Sequence, residues 1–185
     1  MKFNEYKEMT DEELKHEFIK YFGEEKWEEE ETLSRLTKIE ETLSNALIVP
    51  MIPVITEDIP EDSRLDLKNE CIVISKRLIH NKKEATKCLV HEYRHLYQLI
   101  IVNTEPRHPL YEVWKENYKN AINSVSNSEN IEEYNKYFMQ PIELDAFAYT
   151  KYFFEHFLGE PLKIFNDVLE EAFDKYIDKI IKNDL

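Results

Sequence analysis

The chain has 185 residues, a formal net charge of −14 at pH 7 and two cysteines. This acidity argues against binding to nucleic acid or to anionic membranes. The sequence also contains no run of about 18 apolar residues, the length needed to span a bilayer. The N-terminus lacks the apolar segment of a signal peptide, and two cysteines do not make a disulfide framework. We therefore expect a cytoplasmic protein with reduced thiols.

The first 45 residues predict two helices that form an N-terminal extension packed on the core. Thr10 and Glu13 have the spacing of a capping box, in which each residue bonds to the free N–H of the other, and Gly23 is typical of a helix end. A second helix is predicted from about Glu28 to Asn45. Its acidic opening is typical of a solvated face at the N-terminus of a helix.

Two apolar runs that follow predict short strands. The first, ALIVPMIPVI, begins at Ala46 and contains Pro50 and Pro53, which restrict it to an irregular or edge strand. A polar connection, TEDIPEDSRLD, leads to the second run, ECIVIS, at residues 70–75. This short apolar run is typical of a strand.

From Glu84 onward the apolar residues recur with a helical period. Gly159 is expected to close one helix, and the last is expected to run to about Lys182. Three prolines lie where helices would begin, because proline suits the first turn; they are Pro109, Pro141 and Pro161. We predict a mostly helical α+β fold with a small sheet, in which residues 46–185 form the main domain.

The sequence His91-Glu92-Tyr93-Arg94-His95 is an HExxH motif. Residues four apart on a helix lie one turn above each other, so both imidazoles can bind one metal ion from the same side. Glu92 lies beside them, where it can hold a metal-bound water. Half-buried polar groups need a partner, and zinc would supply one. The alternatives are core histidines bonded to nearby carboxylates, or a motif on a solvated helix.

A catalytic zinc ion needs a third protein ligand and one open position. Glu143 lies in the first turn of the helix predicted from Pro141, and the small residue Ala146 on the same side would let two helices approach closely. We predict Glu143 as the third ligand. The alternative is a carboxylate that only complements the helix dipole. Weaker candidate ligands are Asp145, Cys71 and Cys88.

HEYRH and the later QPIELDAFAY together resemble the zincin metallopeptidases, specifically the glutamate-ligand gluzincins and the small single-domain minigluzincins and phage or mobile-element zincin-like domains. The resemblance covers about residues 46–158. It implies a minimal zincin-like domain in which the HExxH helix packs against the glutamate-bearing helix. It also implies His91, His95 and Glu143 as zinc ligands and Glu92 as the general base. The chain departs at Phe147, where several gluzincins have a residue that braces a zinc-bound histidine.

The resemblance implies Zn²⁺-dependent hydrolysis of peptide bonds, with a peptide or protein substrate bound as an added strand at a sheet edge near residues 70–75. His108 and Tyr149 are candidates for contacts with the substrate or the oxyanion. One alternative is a catalytically silent zincin scaffold that binds proteins through its acidic surface. Another is a helical interaction protein with an accidental motif. We expect a monomer that binds neither nucleic acid nor membranes.

Overall fold

The computed structural model describes residues 9–23, 29–122, 131–162 and 167–178. Within these residues the fold is α+β and mostly helical, with a three-stranded sheet, which confirms the predicted fold class. A 3₁₀ turn at Lys76–Leu78 follows the sheet, and a π-helical turn at Phe154–Leu158 extends α6. In chain order the elements are α1 (Asp11–Phe22), α2 (Glu29–Leu47), β1 (Val54–Glu57), β2 (Ser63–Asp66), β3 (Cys71–Ser75), α3 (Lys82–Thr104), α4 (Tyr111–Lys119), α5 (Ile131–Phe138), α6 (Pro141–Phe153) and α7 (Asp167–Tyr176).

The predicted capping box begins α1. The Thr10 N–H donates to Glu13 Oε2 at 2.8 Å, and the Glu13 N–H donates to the Thr10 hydroxyl at 3.3 Å. Gly23 follows the last helical residue, as predicted. For the second helix, residue 28 and the side chains of residues 29–31, which carry its acidic opening, lie outside the described residues.

The second helix ends two residues later than predicted. Because α2 runs to Leu47 rather than Asn45, the predicted boundary between extension and main domain falls inside a helix. Ile48 then adopts a left-handed φ of 54°, and the Val49 N–H donates to the Ser44 carbonyl at 3.0 Å. These two features close the helix in the way that a glycine usually does.

The central strand of the sheet is β3, because the strand order is β1-β3-β2. β1 pairs with it in parallel and β2 pairs with it antiparallel. β1 is therefore an edge strand, but it begins only at Val54. The start of the predicted strand at Ala46 belongs to α2, and residues 48–53 are irregular, so the prediction holds only for its last two residues. The expectation that residues 70–75 lie near an edge is wrong, because Cys71–Ser75 is buried throughout, between two paired neighbours.

β2 lies within the segment that we predicted to be a polar connection. All four residues of Ser63–Asp66 are half-buried. Their side chains lack the alternation of apolar and polar residues that predicts a strand. Pairing with the buried β3, and not intrinsic strand preference, therefore explains this strand.

The prolines differ in how they relate to the helices. Pro141 is the first residue of α6, as predicted, whereas Pro109 lies two residues before α4. Gly159 ends the π-helical turn with a left-handed φ of 67°, as predicted for a helix stop. The prediction for Pro161 is wrong, because Pro161 follows this cap and is not helical. Residues 163–166 and 179–182 of the predicted last helix lie outside the described residues.

The main core contains residues from both sides of the predicted domain boundary. The Tyr93 hydroxyl of α3 donates to the buried Glu40 carboxylate of α2 at 2.7 Å, which links the two helices through a polar contact as well. Among the helices that the structure describes, none combines the length and the apolar composition needed to cross a bilayer.

Candidate metal centre

Helix α3 brings the two histidines of the HExxH motif together. Their Nε2 atoms are 3.0 Å apart, and the rings meet edge to face with centroids 4.6 Å apart. Asn81 caps the start of this helix, and its side chain accepts a hydrogen bond from the Glu84 N–H at 3.2 Å. His91 and His95 are thus one turn apart on a well-capped helix, as the spacing predicted.

Glu143 enters the same cluster from α6. Its Oε2 lies 3.5 Å from His91 Nε2, and its Oε1 lies 3.6 Å from His95 Nε2. The helix starts at Pro141, which places Glu143 in the first turn, and the fully buried Ala146 one turn later leaves room for the two helices to pack closely. One ligand atom from each of the three residues lies within 4.8 Å of the others.

The protonation of the cluster is coupled. Burial lowers the pKa of His95, but the contact with the Glu143 carboxylate outweighs burial and raises this pKa to about 9. Burial opposes ionisation of Glu143, yet the two imidazoles hold its pKa below its usual range. Glu143 is therefore a carboxylate at neutral pH, paired with a charged His95 when no metal is bound.

One buried atom of the cluster supports a cation between these residues. Among the described residues Glu143 Oε2 has no hydrogen-bond partner, although it lies 3.5 Å from His91 Nε2. The short distance between the two Nε2 atoms requires either a shared proton or a cation that accepts both lone pairs. Two imidazoles and one carboxylate form a ligand set of catalytic zinc, which keeps a fourth position open.

Glu92 lies beside the cluster and is held by the sheet. It is 5% exposed, and its Oε1 accepts a hydrogen bond of 2.7 Å from the Ser63 hydroxyl. Ser63 is the first residue of β2, so the strand that the sequence did not predict positions the carboxylate of the motif. No sequence spacing relates Ser63 to the motif.

The two histidines have different surroundings. His95 Nδ1 lies 2.9 Å from Gln98 Oε1, which also accepts a hydrogen bond of 3.0 Å from the Tyr118 hydroxyl of α4. The ring of His91 instead packs against Phe147, with centroids 4.3 Å apart. The residue that departs from the gluzincin pattern therefore contacts one histidine as an apolar wall. We missed both Gln98 and Tyr118, although Gln98 lies one helical turn after His95.

The structure does not bring the two candidate substrate contacts into the cluster. His108 stacks on Trp114 with centroids 5.0 Å apart, and its Nδ1 accepts a hydrogen bond from the Leu110 N–H at 3.1 Å. Tyr149 is buried in the core below the Arg94 guanidinium, and burial raises the pKa of its hydroxyl. Both side chains therefore have structural contacts of their own.

The weaker candidate ligands also lie outside the cluster. Asp145 is fully buried and paired with Arg94, at 2.7 Å between Oδ2 and Nε. Cys71 and Cys88 are free thiols, and burial raises the pKa of Cys88 to about 12, which disfavours the thiolate that binds metal. Glu143 is the acid that the structure places beside the two histidines.

Comparisons with protein-family models, with curated proteins and with solved structures find no match to this chain. The likeness to gluzincins therefore rests on the sequence motifs alone. What this likeness implies for activity is a proposal, which we argue from the residues of the cluster.

Proposed function

We propose that the chain is a zinc-dependent hydrolase of peptide bonds. One observation carries the proposal: the ligand atoms of His91, His95 and Glu143 converge, and Glu92 follows His91 on the same helix, where its charge also acts to raise the pKa of His95. A structural cluster of buried histidines would need no second carboxylate held next to it. This second carboxylate favours a hydrolase over a silent zincin scaffold that binds proteins.

Each residue has a separate task in this proposal. His91, His95 and Glu143 would hold zinc, which polarises a scissile carbonyl and acidifies water when it is bound. Glu92 would accept the proton of the attacking water and donate it to the leaving amine. The Ser63 hydroxyl occupies Oε1 of Glu92, so the other oxygen, Oε2, would carry this proton.

The edge strand β2 is the place where a peptide would bind. The Asp62 carbonyl accepts a hydrogen bond from the Ser75 N–H at 2.9 Å, so the backbone of Asp62 and Arg64 is directed toward β3. The backbone of Ser63 and Leu65 is then directed toward the open side of the sheet. A peptide added there as a further strand would pass next to Glu92, which replaces our expectation of an edge near residues 70–75.

The compartment, the oligomeric state and the partners of the protein are part of the same proposal. We propose a cytoplasmic monomer that acts on peptides or proteins and binds neither nucleic acid nor membranes. The free thiols of Cys71 and Cys88 support a reducing compartment, and the net charge of −14 supports the exclusion of nucleic acid.

Metal analysis combined with peptidase assays tests the proposal. We expect the wild type to contain a single zinc ion and to cleave a library of quenched fluorescent peptides. Glu92→Gln should retain zinc and lose turnover, whereas Glu143→Ala should lose zinc. Glu112→Ala, at an exposed position on α4, is the control and should behave as wild type.

The outcomes separate the competing functions. A wild type that binds zinc without cleaving any peptide would support the silent scaffold. A wild type that binds no zinc would overturn the proposal. Stoichiometric zinc in Glu143→Ala would reassign the third ligand.

A further inference from the structure

The orientation of the Gln98 amide is fixed by two groups that can only accept hydrogen bonds. Gln98 is fully buried, and its Nε2 lies 2.9 Å from the Ile142 carbonyl and 2.7 Å from Asp145 Oδ2. A backbone carbonyl and a carboxylate carry no proton to donate, so the atom facing them must be the NH₂ group. The carbonyl end of Gln98 therefore faces the opposite way, toward His95.

Arg94 keeps Asp145 in its acceptor form. Its Nε and Nη2 donate to the two oxygens of Asp145 at 2.7 and 3.0 Å, and both side chains are buried. The guanidinium also lies over the rings of Tyr97 and Tyr149, at 4.5 and 4.8 Å from their centroids. Because a guanidinium is always charged, the carboxylate opposite it is held as the anion that balances it.

The direction of these hydrogen bonds also determines which nitrogen of the His95 ring carries a proton. Gln98 Oε1 can only accept, and it lies 2.9 Å from His95 Nδ1, so Nδ1 must carry a proton. In a neutral imidazole the other nitrogen is then bare. That nitrogen, Nε2, is the atom that faces His91 and Glu143. Once the ring is neutral, the lone pair of Nε2 is thus directed at the position where the three ligand atoms converge.

No such chain reaches His91. Its Nδ1 has no hydrogen-bond partner among the described residues, and Phe147 supplies only a ring contact. The two histidines of the motif are therefore held by different means, one by a chain of directed hydrogen bonds and the other by packing.

We propose that Gln98 is a positioning residue that keeps the Nδ1 of His95 protonated and directs its Nε2 into the cluster, and that Arg94 and Asp145 set the direction of Gln98. The effect on zinc affinity rests on the proposed function, since it requires the cluster to bind zinc. The proton on His95 Nδ1 does not, because it follows from hydrogen bonds present in the metal-free chain.

Long-range ¹H–¹⁵N NMR of the histidine rings in the metal-free wild type tests the proton directly. We expect His95 Nδ1 to show the ¹⁵N shift of a protonated nitrogen at every pH, whether the ring is neutral or charged, while Nε2 is the nitrogen that changes. A bare Nδ1 on His95 at any pH would overturn the proposal, and this readout needs neither zinc nor a variant.

Zinc affinity, measured by competition with a chelator, tests the positioning role. Gln98→Met keeps the volume but removes the amide, and we expect its affinity to fall by about 10- to 100-fold. The control Thr150→Val also removes one buried hydrogen bond of α6, to the Ala146 carbonyl, and should bind zinc as wild type does. The ring NMR of zinc-loaded Gln98→Met should show a rapidly exchanging His95 Nδ1 proton and an unchanged His91.

The outcomes distinguish the two proposals. If wild type binds no zinc while His95 Nδ1 is protonated as expected, the hydrolase fails and the hydrogen-bond chain stands. If folded Gln98→Met binds zinc as tightly as wild type, the positioning role is refuted although the cluster binds metal. Should Gln98→Met fail to fold, the wild-type NMR measurement still decides.

Discussion

The buried carboxylate of Glu40 should make the stability of this protein depend on pH. Glu40 lies on α2, and its Oε1 accepts hydrogen bonds from the Tyr93 hydroxyl at 2.7 Å and from the Ile52 N–H at 3.0 Å. Burial raises its pKa from 4.5 to about 7, and these two hydrogen bonds only partly oppose the rise. The test replaces Glu40 by Gln, which keeps the shape and cannot ionise.

The size of the effect follows from the rise in pKa. Each pKa unit is about 1.36 kcal/mol, so the rise from 4.5 to about 7 corresponds to about 3 kcal/mol. The folded state binds the proton more tightly than the unfolded state. This contribution to stability is therefore fully present below the unfolded pKa and is lost as the pH rises through about 7. Between pH 5 and 8 the wild type should lose about 2.5 kcal/mol that Glu40→Gln does not lose.

Urea unfolding with chelator present, at several values between pH 5 and 8, measures this difference. All other titrating groups are common to both proteins, so their contributions cancel when the two free energies of unfolding are subtracted. Glu116→Gln, at an exposed position of α4 paired with Lys119, is the control and should keep the pH dependence of wild type. Parallel pH profiles for wild type and Glu40→Gln would refute the reasoning.

Three further predictions concern other parts of the chain. Zinc binding near pH 7 should release about one proton, because the His95 pKa of about 9 leaves that ring charged in the metal-free protein. Titration calorimetry in buffers of different ionisation heat measures this release, and identical heats of zinc binding in all buffers would contradict it. Ile48→Asn should raise the free energy of unfolding by about 1 kcal/mol, because Ile48 is 68% exposed and has a left-handed φ of 54°, which asparagine adopts more readily. Unchanged or lower stability in urea unfolding would count against this prediction. Ser63→Ala should lower turnover about 10-fold at unchanged zinc content, because Glu92 loses its hydrogen-bond donor. The control Ser75→Ala should keep the turnover of wild type. Equal turnover in both variants would remove Ser63 from the site.

The parts of the site that depend on local geometry were predictable from the sequence. The spacing of His91 and His95 fixes their relation on any helix, and Pro141 marks the helix start that places Glu143 in its first turn. The convergence of that carboxylate with the histidines was a prediction about packing, which the small residue Ala146 supported.

The parts that depend on tertiary contacts were not predictable in this way. β2 has no apolar alternation, so the strand and the Ser63 contact to Glu92 appear only when β3 is in place to pair with it. Tyr118 is brought to Gln98 by the packing of α4 against α3, for which the sequence carries no spacing signal. Ile48 ends α2 in a conformation that favours glycine, which residue preference argues against.

Anomalous diffraction at the zinc absorption edge, from crystals of the zinc-loaded protein, tests the metal centre most directly. We expect one strong peak between the three ligands, about 2.0–2.1 Å from the Nε2 atoms of His91 and His95 and within bonding distance of a Glu143 oxygen. No peak at this position, or a peak at Cys71 or Cys88 instead, would contradict the assignment of the cluster as a zinc site.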